Sequence, residues 1–266
     1  MSFLDHLEEL RWHVFRSLGV IVFFAIFFFY NHEWLVTDVI LGPFQVDFPV
    51  NNFLCSLRES LCITEIKVSF LAITPYEQFL KALSLSAVGG LILAFPYVLW
   101  EVWRFVKPGL HANEQKGLKG NILIMSLLFF AGVAFSYYII TPFSIQFLSS
   151  FTLAEGIENQ WRIGSVISLV TQISLAGGIL FEMPILVFYL TKLGVITPAF
   201  MKAYRKHAYV ILLILAAVIT PPDVLSQILI FIPLFILYEI SIGISRAVLK
   251  KEKKELETEK ALTKTN

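Results

Sequence analysis

The feature that most limits what this chain can fold into is a series of apolar runs, each close to the thickness of a bilayer's hydrocarbon core. A spanning helix needs about 20 predominantly apolar residues, and candidate runs lie at 14–31, 75–106, 119–141, 163–191, 207–220 and 224–245. Inside lipid only helices and closed barrels satisfy every backbone polar group. Runs of this length are helical, so the chain reads as an all-α membrane protein with six transmembrane helices. Composition agrees: 57% of the residues are apolar and 15% charged, against about a quarter charged in a soluble domain.

The runs differ in length. Thr74-Pro75-Tyr76-Glu77 gives the second run a capping Thr, a Pro at the first helical position and a Glu three residues after the Thr. It would extend about 48 Å, so it must tilt, kink at Pro96 or project from the bilayer. The fifth would reach only about 21 Å. The opening MSFLDHLEEL carries Asp5, Glu8 and Glu9 where a secretory leader is basic, so the first run reads as a retained span. A short amphipathic helix with Phe3, Leu7, Leu10 and Val14 on one face leads into it, started by Ser2-x-x-Asp5. Sidedness follows from the basic residues. With both termini inside, 17 Lys and Arg fall on inner segments and three (Arg58, Lys67 and Arg162) on outer ones. That asymmetry predicts an N-in, C-in topology. The expected organisation is a membrane domain over 1–246 and a charged cytoplasmic tail over 247–266, disordered beyond an extension of the last helix.

Several function classes are excluded. There is no phosphate-binding loop, dinucleotide fingerprint or HExxH zinc motif. No basic domain points to nucleic acid. The histidines His6, His13, His32, His111 and His207 fall at or beyond span ends, which disfavours a haem anchor. No metal set and no cofactor are expected. Cys55 and Cys62 lie in the first outer loop, and the outside of a bacterial inner membrane is oxidising. They read as a disulfide closing a small loop, the alternative being two reduced cysteines packed apart.

Three constellations remain. On the inner face, Glu9 follows His6-Leu7-Glu8, and Glu114 follows the loop containing Phe105, Pro108-Gly109 and Leu110. Taken alone, both carboxylates read as surface charge balance on a basic face. Within the fourth run, Ser174, Gly178 and Glu182 succeed one another at i+4, and Pro184 loosens the helix. An ionisable residue inside a span marks a functional site by default; the alternative is a Glu satisfied by Ser or Thr neighbours. Between the last two runs, Thr220-Pro221-Pro222-Asp223 forces a tight reversal. Asp223 is placed to cap the sixth helix, and Gln227 lies one turn into it. Glu239, near the inner end of that helix, reads as a snorkelling side chain. No internal repeat is visible, which counts against an inverted-repeat transporter.

At these residues the chain resembles the TatC family, the multispanning subunit of the twin-arginine protein translocase. The resemblance rests on His6-Leu7-x-Glu9-Leu10-Arg11 and Phe105-x-x-Pro108-x-Leu110-x-x-x-Glu114. It continues through Phe181-Glu182-Met183-Pro184 and Pro221-Pro222-Asp223-x-x-Ser226-Gln227, in order, across residues 3–246. It implies a glove-shaped six-helix bundle with short fifth and sixth spans, in the bacterial inner membrane. It implies a non-enzymatic receptor for Arg-Arg signal peptides of folded cargo proteins, with Glu9 and Glu114 contacting the arginines and Phe105, Leu110 and Arg11 shaping the site. Guanidinium suits such a site because its planar fork takes a carboxylate with two parallel hydrogen bonds. By the same resemblance, Glu182, Thr220 and Gln227 meet single-span partner subunits of the TatA and TatB type, and the subunit self-associates in a larger complex. His13 stands where the family carries a basic residue. The rival reading is a proton-coupled secondary transporter using Glu182. It would need a chain of ionisable groups across the membrane, for which Lys81 and Glu239 are the other candidates.

Overall fold

The computed structural model describes residues 3–57, 68–106, 118–152, 159–219 and 224–264, and divides into two compact units, Met1–Gly178 and Ile179–Asn266. Among the described residues, five helical stretches are long and apolar enough to cross a bilayer: Glu8–Tyr30, Glu77–Val106, Ile122–Ser150, Ile163–Lys192 and Ser226–Lys251. The remaining expected span, the fifth in chain order, forms a helix of 15 residues, about 22 Å long. That is the short fifth run anticipated from its length.

In the first unit, α1 (Phe3–Tyr30) is one continuous helix and packs along α4 (Glu77–Val106) more extensively than any other described pair. The polarity of α1 is the reverse of a soluble helix. Val14, Phe15, Leu18, Phe23 and Ile26 are exposed, while His13 is buried. Lipid is as apolar as a side chain, so an apolar face gains nothing by turning inward, whereas a polar group must find a partner. Close packing on α4 is set by Gly90, where a Cβ would lie 2.7 Å from the Ala25 nitrogen and the Ile21 carbonyl oxygen. Phe28, Leu85, Val166, Ile167 and Val170 form a buried cluster with Leu35 and Ile40.

The segment after α1 is more structured than a loop. It holds α2 (His32–Trp34), a π-helical turn Leu35–Ile40, a 3-10 turn Gly42–Phe44 and α3 (Pro49–Leu57). The Tyr137 hydroxyl donates to the Val39 carbonyl at 2.7 Å and ties this segment to the bundle. A two-stranded parallel pairing joins β1 (Ser69–Leu71) to β2 (Gln160–Arg162), with Phe70 opposite Trp161. Hydropathy carried no signal for these strands, because three residues are too few for an alternating pattern.

The third helix corrects the expected end at 141. It runs as α5 (Leu118–Phe135), a π-helical turn Ser136–Ile140 and α6 (Thr141–Ser150). Pro142 has no N–H to donate, which reads as a stop in sequence. Here the π turn absorbs the fault, and the Thr141 hydroxyl donates to the Ser136 carbonyl at 3.0 Å. The fourth helix is α7 (Ile163–Phe181). Its small residues serve packing: a Cβ on Gly178 would meet the Phe129 ring and the Val133 methyl at 2.7 Å.

In the second unit, α8 (Met183–Lys192) ends in a Schellman turn. Gly194 takes φ +70°, its N–H reaches the Thr191 carbonyl and the Val195 N–H reaches that of Leu190. The Thr197 hydroxyl caps α9 (Pro198–Ala203) by accepting from the Phe200 N–H at 3.2 Å. The pair α10 (Arg205–Ile219) and α11 (Val224–Lys264) completes the unit, with α11 packed on α8 and α10. The sixth run is not short as expected: the candidate span within α11, Ser226–Lys251, covers 26 residues. Helix continues through the charged tail to Lys264, where disorder was expected. Lys and Glu are good helix formers, and the tail alternates their charges at helical spacing.

Candidate functional site

The polar groups of the first unit concentrate where the early turns of α1 meet the last turns of α4. Glu101 is 1% exposed and accepts three hydrogen bonds: from His13 Nδ1, from the Tyr97 hydroxyl at 2.9 Å and from Arg104 Nη1 at 3.3 Å. Arg16 Nη1 lies 3.9 Å from the same carboxylate. A charge inside a span is tolerated only when paired, and this one is engaged from both helices. His13, 7% exposed, also sets its ring edge-on to Phe105, with centroids 6.1 Å apart.

One turn before His13 on the same face of α1 stands Glu9. It is half-buried while Glu8, Leu10, Arg11 and Trp12 are exposed, which distinguishes Glu9 from Glu8 as the inward carboxylate. No ion pair reaches Glu9 among the described residues. Phe105 follows Glu101 by one turn of α4, so the His13–Glu101 contact and the Glu9 and Phe105 side chains form successive levels of one interface. Arg11 points outward, its guanidinium 5.8 Å from the Trp12 ring centroid. Leu110 and Glu114 lie outside the described residues, as do Thr220 and Asp223.

Glu182 sits at the break between α7 and α8, where Pro184 interrupts the hydrogen-bond ladder. It is 6% exposed, and neither carboxylate oxygen has a hydrogen-bond partner among the described residues. The alternative of a Glu satisfied by Ser or Thr hydroxyls is therefore not what the structure holds. The Ser174 hydroxyl is likewise buried and unpartnered. Gln227 is half-buried, and its Nε2 donates to the Leu213 carbonyl of α10 at 3.2 Å. Cys55 lies in α3 with its Sγ 3.6 Å from Asn51 Oδ1, and Cys62 is outside the described residues.

Sequence reasoning missed or misread three charged clusters. Glu101 was absorbed into the second apolar run, where one carboxylate among Trp and Val leaves the hydropathy high. Its signal was the pairing of Glu101 with Arg104 at i+3. Glu77, expected to cap α4, accepts from the Ile73 N–H at 3.3 Å and pairs with Arg162 Nε at 2.7 Å across 85 residues. Nearby, Lys81 Nζ donates to the Ser168 hydroxyl at 2.6 Å. Glu239, read as a snorkelling side chain, instead takes Arg205 Nη2 and the Tyr209 hydroxyl, both at 2.6 Å. Each of these carboxylates is engaged by partners within its own cluster.

Comparison with known proteins gives the arrangement its family. Residues 5–233 match the family described as Sec-independent protein translocase protein (TatC). The Sec-independent protein translocase protein TatC of Listeria innocua serovar 6a is 38% identical over 262 residues, covering 98% of each chain. That of Blattabacterium sp. subsp. Periplaneta americana is 36% identical, covering 95% of this chain and 97% of its own. TatCy of Bacillus subtilis strain 168 is 35% identical, covering 96% and 92%. Among solved structures, a crystal structure of the twin arginine translocase receptor TatC superposes with a TM-score of 0.73 at 30% identity, covering 92% of this chain and 99% of that one. By its match along nearly the whole of these relatives, the chain belongs to the TatC family of membrane-embedded, non-enzymatic protein translocase subunits.

Proposed function

We propose that this subunit recognises Arg-Arg signal peptides of folded cargo on the cytoplasmic side of a bacterial inner membrane. It crosses the membrane six times, α10 included, with both termini cytoplasmic. Glu9 and Glu114 accept the two guanidinium groups, Phe105 and Leu110 shape the apolar margin, and Arg11 borders the site. Single-span subunits of the TatA and TatB type dock at Glu182, Thr220 and Gln227, and copies of the subunit self-associate around them.

The observation that carries this reading is the state of Glu9: a half-buried carboxylate on the α4-facing side of α1, with no ion-pair partner among the described residues. Partial burial strengthens a bidentate bond to an incoming guanidinium, and a vacant carboxylate has no internal pair to break first. Charged hydrogen bonds contribute about 1.5–3 kcal/mol each when shielded and less where exposed. Two carboxylates therefore separate Arg-Arg from Lys-Lys. The transporter alternative asks for ionisable groups in relay. The carboxylates of Glu77, Glu101 and Glu239 are each already engaged by basic or hydroxyl partners, and the family is a translocase one.

Photocrosslinking of a twin-arginine signal peptide to the subunit in membranes tests the reading. Arg-Arg peptide should crosslink to wild type, and the yield should fall with a Lys-Lys peptide, with Glu9→Gln and with Glu114→Gln. A yield indifferent to all three changes would remove the receptor assignment and leave the family and fold standing.

A further inference from the structure

A receptor that binds arginines through carboxylates on a basic face has a difficulty, because its own arginines compete for the same carboxylates. Arg16 lies seven residues after Glu9 on the same face of α1, and Arg104 adjoins Phe105 on α4. Both side chains are nearly half exposed, and the Arg104 guanidinium also lies 5.1 Å from the Trp100 ring centroid. Either one turned toward Glu9 would neutralise it. Both instead point at Glu101, which is buried deeper by one helical turn and fixed by His13 and Tyr97.

We propose that Glu101 is an internal decoy carboxylate: held by His13 and Tyr97, it sequesters Arg16 and Arg104 and so keeps Glu9 vacant for the guanidinium of the signal peptide. Glu101 acts through Glu9 and is a positioning residue for recognition. His13 has two parts in this. It fills the face of α1 between Glu9 and Arg16, and it orients the Glu101 carboxylate without supplying the fixed positive charge that an Arg or Lys there would bring. Burial makes Glu101 the stronger attractor, since a charge–charge interaction grows as the local dielectric falls. Among the described residues, the titratable and charged groups at this interface are Glu9, His13 and Arg16 from α1, and Tyr97, Glu101 and Arg104 from α4.

The inference rests on the reading of Glu9 as a guanidinium site, and the experiment separates the two. In membranes containing the full complex, crosslinking of Arg-Arg peptide is compared for wild type, Glu9→Gln, Glu101→Gln, and a triple variant carrying Glu101→Gln, Arg16→Gln and Arg104→Gln. The Gln side chain keeps a hydrogen-bonding partner for His13 and Tyr97 while releasing the arginines. Glu101→Gln should lower the yield about threefold to fivefold, the effect of one new partly exposed ion pair at Glu9. The triple variant should recover to within about twofold of wild type, which a merely structural role for Glu101 cannot produce. No loss in Glu101→Gln, or no recovery in the triple variant, overturns the decoy while Glu9→Gln still reports on the receptor. If Glu101→Gln does not accumulate in the membrane, the triple variant alone decides: wild-type crosslinking supports the decoy, and its failure to accumulate assigns Glu101 to folding. If Glu9→Gln leaves the yield unchanged, the receptor reading fails and this inference falls with it.

Discussion

Single residues in this protein carry their meaning through what they are paired with. Glu182 is buried, with both carboxylate oxygens unpartnered among the described residues, a costly state inside a span unless an incoming group offsets it. Glu182→Ala should therefore leave Arg-Arg peptide crosslinking intact and reduce co-purification of single-span subunits. Loss of peptide crosslinking with normal co-purification would contradict the assignment. Gln227→Leu removes one hydrogen bond to the Leu213 carbonyl, about 1 kcal/mol, so the subunit should stay folded. Partner recovery on the affinity column should fall severalfold. The cysteines admit a direct check: thiol titration of untreated, denatured protein should find none free, and reductant should release two. Two free thiols before reduction would end the idea of a Cys55–Cys62 bond. Glu9, Glu182 and Gln227 were recognisable as candidates from residue type and spacing. The burial of Glu101 against α1, and the lack of an ion pair at Glu9 among the described residues, were not, because both depend on the α1–α4 contact across 88 residues.

Helices here are held by contact geometry rather than by apolar burial. Gly90 lets α1 and α4 touch backbone to backbone, and two prolines, Pro142 and Pro184, mark places where a helix is remade rather than ended. Gly90→Leu should drive the two helices apart at a cost of about 1–3 kcal/mol, seen as a lower thermal midpoint of the purified protein. Gly19→Leu, on α1 with nothing within 4 Å of the added Cβ, is the matched control and should change the midpoint little. Equal effects of the two would show that crowding at Gly90 is not what sets the pairing. Element existence was legible because hydropathy reports on long runs. Element ends were less so: the π turn at Ser136–Ile140 carries the third helix past a proline that reads as a terminator.

At the scale of the whole chain, the proposed six-span, N-in and C-in topology rests on the separation of 17 basic residues from three. In a background with Cys55→Ser and Cys62→Ser, a membrane-impermeant maleimide should label Asp47→Cys from the outside of intact cells. It should label Lys202→Cys only after the membrane is opened. Labelling of Lys202→Cys in intact cells would reverse the topology. This also decides the status of α10, whose 15 residues must cross for both termini to share a side.

Membership of a membrane fold, the number and order of apolar runs, the basic asymmetry and the four family motifs were all present in the sequence. Each is a property of residue type and spacing along one chain. The parallel β1–β2 pairing, the pairs Glu77–Arg162 and Glu239–Arg205, and the engagement of Glu101 by Arg16 and His13 were decided only by the tertiary structure. The physical reason is that a buried charge in a membrane protein is defined by its partner. Most of these partners lie tens of residues away on another helix, where no local pattern records them.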